Sequence, residues 1–232
     1  MSAGSPPDLD AVIGAPARAV LWDLDGTLVD TEPYWIEAEY ALVAEHGGSW
    51  SIEHAHALVG NDLITSAHYL QRHGGVNLPA ELIVATLLDV VVVQVRRHVP
   101  WRPGAVELLA ALRAASVACA LVTMSYARLA QAVIEKLPIN TFAAVVTGDM
   151  VERGKPHPEP YLLAAQRLSL TPGECVAIED SPTGVASAIA AGMPVLAVEH
   201  LVTIAPGPGR QVVDTLTGLA VARLLSCGRD HS

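Results

Sequence analysis

A parallel α/β sheet, interrupted after its first strand by a helical insert, is the fold class the sequence predicts. Three observations carry it. The run Ala19-Val20-Leu21-Trp22 is apolar with no polar alternation, as in a strand buried on both faces. From residue 32 to 98 the apolar positions recur at helical spacing instead. Beyond residue 104 short apolar runs alternate with helical patterns, which implies right-handed βαβ crossovers in one parallel sheet.

Taken in order, the first strand is 19–22, and Asp23-Leu24-Asp25-Gly26-Thr27 follows it, with the glycine marking the exit turn. In the insert, Trp35, Ala38 and Leu42 share one helical face, then Leu63, Ala67 and Leu70, then Leu82, Ala85, Leu88 and Val92. The valines at 90–93 are β-branched and locally favour a strand, against the helical period around them. After Pro100-Trp101-Arg102-Pro103-Gly104 the spacing predicts helices over 106–115, 127–137, 160–168 and 183–191. Strands are expected at 118–123, 144–147, 176–179 and 195–198, with a weaker strand and helix near 211–213 and 216–225. The domain reading is a flexible leader, 1–16, an α/β core of 17–30 plus 100–232, and a helical insert, 31–99. Residues 29–31 and 100–103 are its two hinges.

The chain has 232 residues, 14 basic against 24 acidic, and 51% hydrophobic residues, which excludes a disordered polypeptide. Its net charge of −10 argues against nucleic acid or an anionic membrane as partner. A phosphorylated small molecule remains compatible, because local cations and a metal reverse the potential inside one cleft. Cys119, Cys175 and Cys227 are widely spaced and read as buried thiols in a reducing compartment. No signal sequence is recognised at the N-terminus and no apolar run reaches the roughly 20 residues of a membrane span, so a cytoplasmic protein is expected. Its oligomeric state is expected to be a monomer or weak homodimer.

Four segments fall at expected strand exits: Asp23-Leu24-Asp25-Gly26-Thr27, Thr123-Met124-Ser125, Gly154-Lys155-Pro156 and Glu179-Asp180-Ser181. That edge is where open parallel sheets bind ligands. Each segment alone reads as a turn or a solvated strand end; in order on one edge they read as a site. His54 and His56 lie on different helix faces and read as surface residues, His157 as a loop residue, and Trp50 and Trp101 as packing.

Together the four segments resemble the signature motifs of the haloacid dehalogenase superfamily. The runs Asp23-Leu24-Asp25-Gly26-Thr27-Leu28-Val29-Asp30-Thr31-Glu32-Pro33, Gly154-Lys155-Pro156-His157-Pro158 and Ile178-Glu179-Asp180-Ser181-Pro182-Thr183-Gly184 are similar to its β-phosphoglucomutase-like phosphatase branch. The resemblance covers residues 18–200. It implies a Rossmann-like, HAD-like core with a C1 helical cap, and Mg²⁺-dependent hydrolysis of a small phosphorylated metabolite such as a sugar or polyol phosphate. Asp23 is then the nucleophile, giving an aspartyl-phosphate, and Asp25 the general acid and base. Gly26, Thr123, Met124 and Lys155 are expected to hold the phosphate. Asp23, the Asp25 carbonyl and Asp180 are the expected Mg²⁺ ligands, with Glu179 behind them or joining them.

The resemblance also places Glu32 and Trp35 at the cap base and Asn61 and Asp62 in a specificity loop, 59–62. Trp35 and Leu63 stand where mutases of this branch carry a histidine and an arginine, which favours a phosphatase over a sugar-phosphate mutase. Arg96 or Arg97 would keep the mutase reading alive by supplying the cation. Haloacid dehalogenation and a non-catalytic binding protein are the remaining alternatives.

Overall fold

The computed structural model describes residues 16–227, so the expected leader falls almost wholly outside the described residues. Six strands form one parallel sheet: β1 (Ala19–Trp22), β2 (Ala118–Val122), β3 (Ala144–Val146), β4 (Cys175–Glu179), β5 (Val195–Val198) and β6 (Arg210–Val213). Their order is β3-β2-β1-β4-β5-β6, so the winding direction reverses at β1. A crevice opens at such a reversal, and Asp23 follows β1 directly.

Alternation within each strand separates two apolar layers. Val20, Trp22, Leu121 and Ile178 point to one side, with α5 (Ala105–Ala114), α6 (Ala127–Ile134) and α9 (Val221–Leu225). Ala19, Leu21, Val122 and Ala177 point to the other, with α7 (Glu159–Arg167) and α8 (Pro182–Ala190). Because both faces are covered, β1, β2, β3 and β5 have no polar positions to alternate.

Between β1 and α5 lie four helices: α1 (Glu32–Glu45), α2 (Ile52–His56), α3 (Leu63–Gly74) and α4 (Ala80–Arg97). The valine run belongs to α4: Ile83, Val84, Leu87, Leu88, Val91, Val92 and Val95 form one buried stripe, and burial along it outweighs local strand propensity. α4 packs on α1 and α3, and also on α6.

The two chain segments entering and leaving this block pair with each other. Asp30 N–H donates to Pro100 O (2.7 Å), Arg102 N–H to Leu28 O (3.0 Å), and Val29 forms an antiparallel bridge with Trp101. His200, after β5, ties both to the core. Arg102 donates to its Nδ1 at 2.8 Å and to Glu199 O at 3.0 Å, while its Nε2 lies 2.9 Å from Asp30 Oδ1. An arginine only donates, so the ring is neutral with its proton on Nε2.

Several element ends depart from expectation. The helix expected to 137 stops at Ile134, ahead of Pro138, which biases its predecessor away from helix. The helix expected over 216–225 is only α9, because Gly218 turns the chain at φ +72°. His54 is not a plain surface residue: its ring stacks on Trp50 at 4.9 Å and Nδ1 lies 3.1 Å from the Tyr69 hydroxyl. Among the described residues no helix is long and apolar enough to cross a membrane. All three cysteines are buried, and burial pushes the Cys119 thiol up to about 12, so it stays protonated at neutral pH.

Candidate active site

The four expected segments meet at the strand exits around one cleft, which encloses about 800 Å³ of non-atom space, the solvent at its mouth included. Asp23 N–H continues the β1 pairing to Ile178 O at 3.0 Å, which fixes the backbone that carries the first carboxylate. Three residues on, Gly26 takes φ +86°, and a Cβ there would fall 1.9 Å from Asp180 Oδ2. Glycine is therefore what lets the β1 turn close against the β4 exit. Thr27 Oγ1 then donates to Asp180 Oδ1 at 3.1 Å and sets that carboxylate.

Lys155 comes from the loop after β3, with its N–H on Met124 Sδ at 3.2 Å. Its ammonium has three donors and three acceptors: Asp23 Oδ1 (2.6 Å), Glu179 Oε1 (2.5 Å) and Val122 O (2.9 Å). Glu179 is fully engaged. Tyr161 OH also donates to Oε1 (2.8 Å), and Oε2 accepts from Asp180 N–H, Ser181 N–H and Ser181 Oγ. A Cβ on Gly184 would lie 1.8 Å from Glu179 Oε1, so that glycine makes room for it. Glu179 thus steadies Lys155, with both its oxygens engaged by protein donors.

Asp25 is gripped from both sides. Ser125 Oγ (2.7 Å) and Thr123 Oγ1 (3.3 Å) donate to Oδ2 from the sheet edge. On the other side, the Thr31 hydroxyl and Trp35 Nε1 (3.4 Å) donate to Oδ1. Ser125, absent from the expected set, was signalled only by its place two residues beyond Thr123. The Gly26 N–H, expected to face the phosphate, donates instead to Val29 O at 2.7 Å, because the turn requires that bond. Among the described residues the N–H groups of Leu24, Asp25 and Met124 have no protein acceptor.

From the helical block, Glu32, Trp35, Glu39, Asn61, Leu63, Ser66 and Leu87 line the same cleft. Asn61 Nδ2 donates back to Ala57 O at 3.0 Å. Asp62 does not line it: its carboxylate caps α3, accepting from Thr65 N–H (2.8 Å) and Oγ1 (2.5 Å). Gly60 brings the block down onto the core, since a Cβ there would lie 3.0 Å from Ser181 Oγ. Arg96 and Arg97 are exposed near the end of α4 and do not reach the cleft, so the cation they were to supply is missing. His157 lies outside it as well, accepting from Glu159 N–H at 3.1 Å. His200 and Ser181 line it without having been expected.

Burial governs the electrostatics. It pushes the Asp23 carboxyl up to about 7 against the pull of Lys155, with Glu179 adding to the rise. Asp180 is raised well above the carboxylate range by burial and then by Asp23 and Glu179. Burial also opposes the Lys155 charge, but Asp23 and Glu179 overcome it and hold the ammonium above the usual lysine range. Oxygens of Asp23, Glu179 and Asp180 lie within 4.8 Å of one another, three carboxyls against one ammonium. That surplus of hard, buried oxygen donors suits a divalent cation.

Burial pushes Glu32 up to about 7, with Asp25 and Asp30 adding, and Glu39 up to about 8, opposed by the hydrogen bond from Trp50. A carboxyl raised from 4.5 to about 8 keeps its proton in the folded state after the unfolded chain has lost it. Its contribution to stability is whole below pH 4.5 and is lost as pH rises to about 8. Glu39→Gln, which keeps an acceptor for Trp50, is therefore expected to gain stability relative to the native chain between these limits, by at most about 5 kcal/mol. Urea midpoints at the two ends of the range measure it; a pH-independent difference would show an ordinary carboxyl.

The fold and cleft define a hydrolase: the chain belongs to the haloacid dehalogenase-like hydrolase family, whose profile matches residues 17–192. Several of the curated relatives it matches are phosphatases. It is 36% identical over 182 residues to hexitol phosphatase A of Escherichia coli, covering 78% of this chain and 82% of that one. It is 33% identical over 185 residues to the phosphorylated carbohydrates phosphatase of Thermotoga maritima, covering 76% and 82%. Among solved structures, CbbY from Rhodobacter sphaeroides in complex with phosphate matches with a TM-score of 0.81 at 26% identity, over 90% of this chain and 99% of that one. β-Phosphoglucomutase from Clostridium difficile shares the fold, with a TM-score of 0.76 at 20% identity over 89% and 95%.

Proposed function

We propose that the protein hydrolyses the phosphate monoester of a small sugar or polyol with Mg²⁺, through an aspartyl-phosphate on Asp23. The observation that carries the reading is Lys155, pinned between Asp23 and Glu179 beside an Asp25 that four side chains hold. The names of the relatives, a hexitol phosphatase and a carbohydrate phosphatase, support the substrate class.

Asp23 attacks phosphorus, its new P–O bond forming as the ester P–O bond breaks, and a protonated Asp25 gives its proton to the departing alcohol. Water then attacks the aspartyl-phosphate and loses a proton to Asp25; phosphate leaves, Asp23 is free again and Asp25 is reprotonated. Lys155 balances charge on the phosphoryl oxygens, and the open N–H groups of Leu24, Asp25 and Met124 are available to them. Asp23, the Asp25 carbonyl and Asp180 would hold Mg²⁺, which when bound neutralises phosphoryl charge and keeps Asp23 ionised. The helical block, paired at its neck, acts as a cap that excludes water and reads the leaving group. The enzyme acts in the cytoplasm as a monomer or weak homodimer; its three buried cysteines support a reducing compartment.

A mutase is disfavoured because Lys155 is the only lysine or arginine among the described residues lining the cleft, so a bisphosphate lacks a far-end anchor. Inorganic phosphate release from sugar, polyol and glycolate phosphates, with Mg²⁺ and with EDTA, tests the proposal, with chromatography for isomers. Release that EDTA abolishes is expected. Isomer without release would replace the phosphatase by a mutase, and EDTA-resistant release would remove the metal.

A further inference from the structure

The reaction proposed above leaves two carboxyls of the cleft wall, Glu32 and Glu39, without a part. Both sit on α1 with Trp35, at i, i+3 and i+7, so the three share the face turned to the cleft. Trp35 reaches Asp25, and Glu39 is four residues further along, about 6 Å more along the helix axis. It therefore lies towards the end of the cleft away from Lys155.

Glu39 is only 4% exposed. Trp50 Nε1 donates to its Oε2 at 3.1 Å, and that indole is itself held by the stack with His54. Oε1 receives no hydrogen bond from any described residue. Oε1 is not among the fully buried atoms left without a partner, so it is open to whatever occupies the cleft that Glu39 lines. With its carboxyl raised to about 8, Glu39 is a neutral acid at pH 7, able to give one hydrogen bond and to accept another.

The rest of this wall has the same bias. Ser66, buried on α3, and Asn61 supply further neutral polar groups, Leu58, Leu63 and Leu87 supply apolar surface, and the helical block contributes no lysine or arginine. An anionic tail would face Asp25, Glu32 and Glu39 without a counter-charge, whereas hydroxyls of an extended chain match them. We propose that Glu39 determines specificity at the far end of the cleft, hydrogen-bonding a hydroxyl of an uncharged polyhydroxy chain, so that the substrate is a polyol or sugar monophosphate with no second anionic group. This rests on the phosphatase reading and adds to it a residue and an exclusion.

The test compares kcat/KM for phosphate release from a hexitol monophosphate, a hexose bisphosphate, phosphoglycolate and ethyl phosphate. Ethyl phosphate has no tail to reach Glu39, so it reports the chemistry without the far end. The native enzyme is expected to prefer the hexitol monophosphate to both doubly anionic esters by about tenfold or more. In Glu39→Leu the ratio of hexitol monophosphate to ethyl phosphate is expected to fall about tenfold, chiefly through KM. Glu39→Gln, which still donates and accepts, is expected to hold that ratio within about threefold of native. A purely structural Glu39 would depress both esters equally and leave the ratio unchanged, which overturns the proposal. So does native activity on phosphoglycolate or the bisphosphate equal to that on the hexitol ester, a result that needs no variant to fold. No release from any ester, ethyl phosphate included, overturns the phosphatase reading and the proposal with it.

Discussion

Asp23→Asn is expected to abolish phosphate release, by about 10⁴-fold or more, while the protein remains folded. An amide has no charge to bring to phosphorus and forms no acyl phosphate. The fold should survive because Lys155 keeps Glu179 Oε1 at 2.5 Å and Val122 O at 2.9 Å. Asn also relieves the crowding of carboxyls that raises Asp180. Circular dichroism and a thermal melt check the fold, and phosphate release checks the chemistry. Turnover retained in a folded Asn variant would remove Asp23 as nucleophile and leave attack by water as the alternative.

Lys155→Met is expected to fail on both counts. It leaves Asp23, Glu179 and Asp180 buried together with no cation among them. Breaking a buried pair in this way costs about 3–5 kcal/mol, and losing the phosphoryl counter-charge costs about 10³-fold in rate. The stability deficit should shrink in acid, because carboxyls without their cation are raised further and accept protons sooner. Lys155→Arg is not expected to restore activity, since a planar fork cannot satisfy acceptors arranged around an ammonium. Urea melts at pH 5 and pH 8 with phosphate release measure all of this. A Met variant as stable as the native protein would mean that the carboxyl cluster tolerates its own charge.

What could be read in the sequence was what local chemistry marks. An apolar run ending in Asp23-Leu24-Asp25-Gly26, then a hydroxyl, a lysine and an acidic pair at later strand exits, places the core of the site because parallel strands bring their exits to one edge. The valines at 90–93 were ambiguous because only the packing of α4 on α1 and α3 decides between propensity and burial. Glu39 was invisible for a related reason. On α1 it looks like one more acidic residue of a solvated face, and it becomes a cleft residue only when Trp50, eleven positions later, folds back onto it. His200 depends on partners 98 and 170 residues away, a distance no local pattern spans. The reach of Arg96 and Arg97 was misjudged because helix spacing does not tell which way the end of α4 points. Gly26 had the right residue type for the wrong bond: glycine was needed for the approach of Asp180, not for a phosphate-facing amide.

The pairing of Asp30 with Pro100, Leu28 with Arg102 and Val29 with Trp101 brings the two ends of the helical block together. To the sheet, the whole block is therefore the tip of a hairpin. Closing a chain over that tip grows only logarithmically more costly with its length, and the register of β1 and β2 is set below it. Helices at the tip can be lengthened, shortened or exchanged without disturbing Asp23, Lys155 or Asp180. One reaction centre can then be fitted with many different recognition surfaces, each free to vary on its own.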